Sequence, residues 1–459
     1  MALPAGLLTR QLGYKGGIIF GLVLVALGGF WFIPATHIAE FWAFLMGVCL
    51  IAMGLTVLET VANPYTTVLG PKEYGPMRIN FAQSFNGVGW IFGPIAGSAF
   101  FYSAGGAEEA QKHLFVPYMG VGILVLVIAV MFVFAPVPDI KVEDEYHTDD
   151  NATAAPTIQK ERNPALVLLM IFLNVAAVGL SIYLICNTIL PSVISEDSFN
   201  SVQKALPWVI IVAVLATLPA LKAMTKKVTT HSIWAHPHFS AATLAQFVYV
   251  AAQAGIFSFF INCMTVDKKT GFTMVPAIPQ SWNSGWLGQK LFAAGGDGVL
   301  HISDQGAALL ASAAFVCFLL GRISGAALLK KFSAHKMLGA YGFINALVCL
   351  LIIGNLGWIS TAGVFASYFF MSIMFPTIFA LGIHGLGSQA KKKAAAFIVM
   401  SITGGALMPK FMGHLGDIYN MCAAFWMPFV CFILIGFYGL CWSKLSQSEG
   451  VLGVKSSGH

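Results

Sequence analysis

Apolar runs long enough to cross a lipid bilayer recur from one end of this chain to the other, with short polar turns between them. A helical span needs ~20 mostly apolar residues. Such runs fall near 16–33, 41–65, 79–102, 117–134, 164–190, 207–221, 240–263, 306–329, 337–354, 358–383, 394–412 and 421–441. Hydrocarbon offers no partner to a backbone N–H or C=O, so a segment inside it must pair its own backbone. The fold class is therefore an all-α integral membrane protein. Composition agrees. Apolar residues make up 58% of the chain and charged residues 10%, with a mean hydropathy of +0.79. A soluble domain carries about 25% charged residues. Disordered, fibrous and nucleic-acid-binding chains are excluded, and the net charge of +6 is assigned to cytoplasmic loops.

The basic residues orient the spans. With the Arg10/Lys15 turn placed in the cytoplasm and the sides alternated, the cytoplasmic side receives 19 Lys and Arg and the outside receives 6. That asymmetry follows the positive-inside rule. The eight cysteines lie mostly within apolar runs and form no CxxC pair, so they read as small apolar residues and not as a disulfide frame or metal site.

Between the fourth and fifth runs lies a polar stretch, 137–163, rich in Asp and Glu, which reads as a solvated linker. The Gly-rich segment 264–304 reads as an ordered lid or a mobile external loop. His231, His236 and His238 fall in a polar interhelical stretch without Cys or carboxylate at ligand spacing, so no metal is expected there. No cofactor is expected either, and the absence of HExxH, GxSxG and P-loop patterns argues against an enzyme or an ATP-driven pump.

Two halves repeat. Leu7-Leu8-Thr9-Arg10 reaches Lys15, and Leu328-Leu329-Lys330-Lys331 reaches Lys336, eight residues on in each case. Each turn precedes a span, then a span expected to be broken by proline (Pro64 and Pro376), then a basic loop, then a Gly-rich span. A parallel repeat of this kind is the mark of two-bundle transporters. Gly93 and Gly97 form a GxxxG, expected to bring helices close.

A carboxylate inside an apolar helix costs about 2.5–3.5 kcal/mol on insertion scales. Glu59 is the clearest such residue in this chain, and Asn63 shares its helix face at i+4. A protonated Glu can donate to a sugar hydroxyl, and a charged one can await a proton. The plainer alternative is a structural Glu paired with a neighbouring helix. Gln83, Asn86 and Trp90 fall at i, i+3 and i+7, presenting two amides that donate and accept and one flat ring. Interhelical hydrogen bonding is their plainer alternative. In the second half Gln246, Tyr249 and Gln253 repeat that spacing, and Gln253 is the contact expected from this bundle. Phe375, beside Pro376, lines the cavity or simply packs. Arg78 and Arg322 sit at cytoplasmic helix ends, as snorkelling anchors or gate-side groups.

The segment Leu58-Glu59-Thr60-Val61-Ala62-Asn63-Pro64-Tyr65 resembles the fucose–galactose–glucose:proton symporter family of the major facilitator superfamily. So do Arg78-Ile79-Asn80-Phe81-Ala82-Gln83-Ser84-Phe85-Asn86, Leu244-Ala245-Gln246-Phe247-Val248-Tyr249 with Gln253, and Phe375-Pro376-Thr377-Ile378-Phe379. The resemblance implies uptake of a hexose or deoxyhexose with protons by two rocking helix bundles in a bacterial inner membrane, as a monomer. It also implies that Glu59 couples protons and binds sugar, and that Gln83 and Asn86 line the pocket. The expected substrate set is Glu59, Asn63, Gln83, Asn86, Trp90, Tyr249, Gln253 and Phe375. An uncoupled facilitator and a non-transporting sugar sensor are the alternatives.

Two departures from the family are expected. The family's first helix, which carries an aspartate linked to coupling, has no counterpart, and Met1 falls where the family has the middle of its second helix. The runs between Pro164 and Leu221 have no counterpart in a twelve-helix pattern. The expected partition is an incomplete N-terminal bundle (1–135), a cytoplasmic linker (136–163), an inserted helix pair and loop (164–237), a C-terminal bundle (238–445) and a cytoplasmic tail (446–459).

Overall fold

The computed structural model describes residues 1–103, 114–138, 163–189, 196–227, 232–267, 270–295 and 298–446. Nearly all of the acidic linker, His231 and the C-terminal tail lie outside the described residues.

The first half holds α1 (Ala2–Ile38), α2 (Phe41–Val68), α3 (Gly75–Ser103) and α4 (Phe115–Phe134). Helices α5 (Pro164–Ile189) and α6 (Glu196–Lys227) follow. The second half holds α7 (Pro237–Ser258), α8 (Asp304–Leu328), α9 (Ala334–Ile353), α10 (Trp358–Met371), α11 (Met374–Gly382), α12 (Ser388–Met400), α13 (Met408–Ile418) and α14 (Trp426–Ser446). Among the described residues eleven helical stretches are long and apolar enough to cross a membrane. Helix α3 is not one of them, because Asn80, Gln83, Ser84 and Asn86 dilute its apolar character.

The basic turn of the first half lies inside α1, where Gly13 at φ 70° breaks the helix. A side chain there would meet the left-handed penalty that glycine escapes. Small residues then bring spans together. A Cβ at Gly54 would fall 2.7 Å from the Gly21 carbonyl and 2.6 Å from Val25, so α1 and α2 touch backbone to backbone. In the second half Gly342 and Gly436 do the same for α9 and α14. Such pairs drive packing where lipid removes the hydrophobic driving force.

Three expectations change. Helix α2 runs through Pro64 without a break, whereas the helix before Pro376 ends at Met371 and restarts at Met374. Gly93 and Gly97 are not a packing seam, since no described residue comes within 4 Å of a Cβ at either. Lys391 and Lys392 belong to α12 and not to a loop; both are buried, and the Lys392 ammonium stands 4.6 Å over the Tyr14 ring. In the 264–304 segment the described residues take the ordered form of the two expected, with a short helix Gly285–Leu291 leading into an antiparallel pair of β1 (Phe292–Ala294) and β2 (Leu300–Ile302). His236 and His238 are buried at the start of α7, with rings 5.7 Å apart.

The halves meet along α3 and α8. Trp90 of α3 packs against Phe315 and Phe318 of α8 and Phe257 of α7, at ring distances of 5.7, 5.1 and 5.7 Å.

Candidate functional site

Helix α2 presents Glu59 and Asn63 one turn apart, and α3 presents Gln83 and Asn86 three residues apart. The two pairs face each other. Asn63 donates its amide to the Glu59 carboxylate. Gln83 Nε2 donates to Glu59 at 3.2 Å and to Asn63 Oδ1 at 2.7 Å. Asn86 Nδ2 donates to Gln83 Oε1 at 2.8 Å. Four side chains from two helices thus form one continuous chain of hydrogen bonds. Glu59 is half-buried and Asn86 exposed, while Asn63 and Gln83 are buried. The chain therefore has a sealed middle and accessible ends.

The second half contributes Arg322. It was expected at an aqueous helix end, but it is 1% exposed. The reason lies in Pro376, which has no N–H and so leaves the carbonyl four residues before it without a helical donor. Arg322 Nε donates to that carbonyl, Ser372 O, at 2.9 Å. Gly321 beside it admits the approach, because a Cβ there would collide with Phe369 and Ser372. Arg322 Nη1 then crosses to α3 and donates to Gln83 O at 2.6 Å, with Gln83 Oε1 at 3.5 Å. Its guanidinium lies 4.7 Å from the Phe318 ring centre and 5.8 Å from that of Trp90. Gln83 is thereby shared between the carboxylate of one half and the guanidinium of the other.

Arg78 stays at a helix end. It donates to Thr66 O, Thr67 O and Pro71 O at 3.1, 2.5 and 2.7 Å, satisfying carbonyls that the end of α2 leaves open. Tyr249 is fully buried, and its hydroxyl donates to Met371 O at 2.9 Å, the other carbonyl at the α10–α11 break. Phe375 packs edge-on to Tyr249 at 6.4 Å. Gln253 is buried, and among the described residues no hydrogen bond ties it to the Glu59 chain. The structure thus brings Glu59, Asn63, Gln83 and Asn86 together, sets Trp90 beside them in an aromatic cluster, and places Tyr249 with Phe375 in a separate group.

Asn80 was missed. It is fully buried one turn before Gln83 and donates to Thr377 Oγ1 at 3.1 Å, a second bond between the halves. Its place at i−3 from Gln83 was the available signal.

Paired helix bundles meeting at a polar seam within apolar spans define a major facilitator transporter. The model of the Major Facilitator Superfamily matches residues 1–285. The chain is 31% identical over 434 residues to the L-fucose-proton symporter of Escherichia coli, covering 94% of this chain and 79% of that one. It is 26% identical over 449 residues to a glucose/galactose transporter of Brucella abortus, covering 97% and 82%. The crystal structure of the E. coli fucose:proton symporter FucP superposes with a TM-score of 0.63 at 28% identity, over 96% of this chain and 87% of that one. The chain belongs to the fucose–galactose–glucose:proton symporter family of the major facilitator superfamily.

Proposed function

We propose that this chain imports a hexose or deoxyhexose together with protons, by alternating access, in a bacterial inner membrane and as a monomer. The hydrogen-bonded chain Glu59–Asn63–Gln83–Asn86, joined to Arg322, carries the reading. Amides match polyol hydroxyls because each both donates and accepts. A carboxyl group at the end of such a chain can hold a proton in one state and release it in another. The similarity to symporters of fucose and transporters of glucose and galactose supports the substrate class.

In this mechanism Glu59 takes the proton and contacts sugar, while Gln83, Asn86 and Asn63 read hydroxyls. Trp90 and Phe375 wall the cavity, and Gln253 approaches from the second bundle. Tyr249 acts through the helix break, because its hydroxyl is already committed to Met371. Gln83 links the steps. When sugar or a protonated Glu59 takes up the Gln83 side-chain oxygen, Arg322 loses its 3.5 Å contact there and holds α3 only through the Gln83 backbone carbonyl, which eases the rocking of the bundles.

The contacts between the halves lie on the seam that this order of events would loosen. The halves touch along α3 at Asn80, Gln83 and Trp90. The basic end of α3, which carries Arg78, is proposed to face the cytoplasm. Helices α5 and α6 are proposed as an insertion between an N-terminal bundle (1–135) and a C-terminal bundle (238–445), with a cytoplasmic linker over 136–163 and a cytoplasmic tail over 446–459.

The test is proton flux on sugar addition to proteoliposomes suspended in a lightly buffered medium that holds a membrane-impermeant pH dye. Symport predicts alkalinisation outside that scales with sugar uptake. Sugar equilibration without a pH change would make the chain a facilitator, and binding without uptake would make it a sensor.

A further inference from the structure

Helix α5 is fastened to the second half by one polar clasp. Asn174 Nδ2 donates to Ser240 O of α7 at 2.9 Å, and Thr243 Oγ1 returns a bond to Asn174 Oδ1 at 2.6 Å. Around this clasp a cavity of about 260 Å³ separates α5 from α7 and α12. Ile171 and Val178 of α5, Leu244 and Phe247 of α7, and Phe397 and Met400 of α12 supply most of its wall.

Apart from Thr243, whose hydroxyl is held in the clasp, the few hydroxyls in this wall are turned to their own helices. Ser181 bonds Ala177 O at 2.8 Å, Ser401 bonds Phe397 O at 3.1 Å and Thr403 bonds Met400 O at 3.1 Å. A buried water needs 2–4 polar partners, and an apolar cavity of about 150 Å³ already prefers benzene to water. A sugar would lose its hydroxyl partners here. The occupant is therefore hydrocarbon.

The surface around the mouth indicates its source. Val178 is 47% exposed, and Leu173, Leu180 and Ile182 share the exposed surface of the same apolar span. That surface is the one α5 turns to the bilayer, so the cavity is continuous with the lipid hydrocarbon. Its other side is the 3₁₀ segment Ser401–Ala406, a break between α12 and α13 within one span. Such mid-span breaks are sites of bending.

We propose that this cavity seats one phospholipid acyl chain, which wedges between α5 and the helix break in the second bundle. The sugar site does not enter this argument, so the two readings fail independently.

The test uses the full chain in vesicles containing a phosphatidylethanolamine with a diazirine on one acyl chain, followed by photolysis and peptide mapping. The expected result is labelling at Phe247 and Phe397 that saturates as the probe fraction rises. Labelling at Val212 on the outer face of α6 should instead rise without saturation. Val178→Trp, which fills the mouth, should remove the Phe247 and Phe397 adducts and leave Val212 unchanged. Adducts confined to outer-face positions such as Val212, or non-saturating labelling at Phe247, would overturn the proposal in the wild-type chain alone. Undiminished Phe247 labelling in a folded Val178→Trp variant would also overturn it.

Discussion

The two bundles use their buried amides in opposite ways. In the first, Asn63 and Gln83 are bonded to Glu59 and to each other, and the chain reaches an exposed Asn86. In the second, Gln246 and Asn345 are fully buried, and neither amide has a hydrogen-bond partner among the described residues. An unpaired buried amide costs ~1–3 kcal/mol. The first bundle has assembled its polar groups into a site, and the second carries isolated ones and sends Arg322 across to that site. Polarity inside a membrane span marks function when the groups connect and one end is accessible. Burial alone does not mark it.

The sharpest way to break this contrast is Arg322→Leu. It removes two charge-assisted bonds worth ~1.5–3 kcal/mol each and leaves Ser372 O, which Pro376 cannot serve, unpaired. Initial-rate sugar uptake should fall to background at normal protein levels. Uptake above half of wild type would show that the bundles are not joined there.

Gln83→Leu comes next. It cuts the chain in the middle, and sugar affinity measured by calorimetry should weaken roughly 10- to 100-fold, about 1.4–2.8 kcal/mol. Unchanged affinity would reduce the first bundle's network to a structural one, like the polar groups of the second.

The matching change in the other bundle is Gln246→Leu. Replacing an unpaired amide by an apolar group of similar size is close to neutral or stabilising. Tm should hold or rise, and uptake should stay within about twofold of wild type. A large loss of uptake would mean that Gln246 finds partners in another conformation. Gly93→Ala and Gly97→Ala should change least, within about ±0.5 kcal/mol, because each added methyl enters open space.

Most of this architecture is legible in the residue pattern. Apolar runs of span length locate the helices, and the i+4 and i+3 spacings put Glu59 with Asn63 and Gln83 with Asn86. What periodicity hides is any partner set by tertiary contact. A tally of basic residues counts Arg322 as cytoplasmic, but it cannot see that Pro376 frees a carbonyl for it to bind. The same tally puts Lys391 and Lys392 in a loop, whereas they are helical and buried against the first half. Gly93 and Gly97 carry a packing motif in sequence, but with Gly89 they share a helix face that no described residue approaches. Tyr249 has the spacing of a sugar ligand, but the helix break at Met371, 122 residues on, takes its hydroxyl.

The central claim is that Glu59 carries the proton that drives sugar uptake. Glu59→Gln keeps the size and the hydrogen bonds to Asn63 and Gln83 but cannot release a proton. In proteoliposomes this variant should lose sugar-induced alkalinisation and accumulation against a gradient while retaining sugar exchange. Alkalinisation that persists at the wild-type rate would contradict the account.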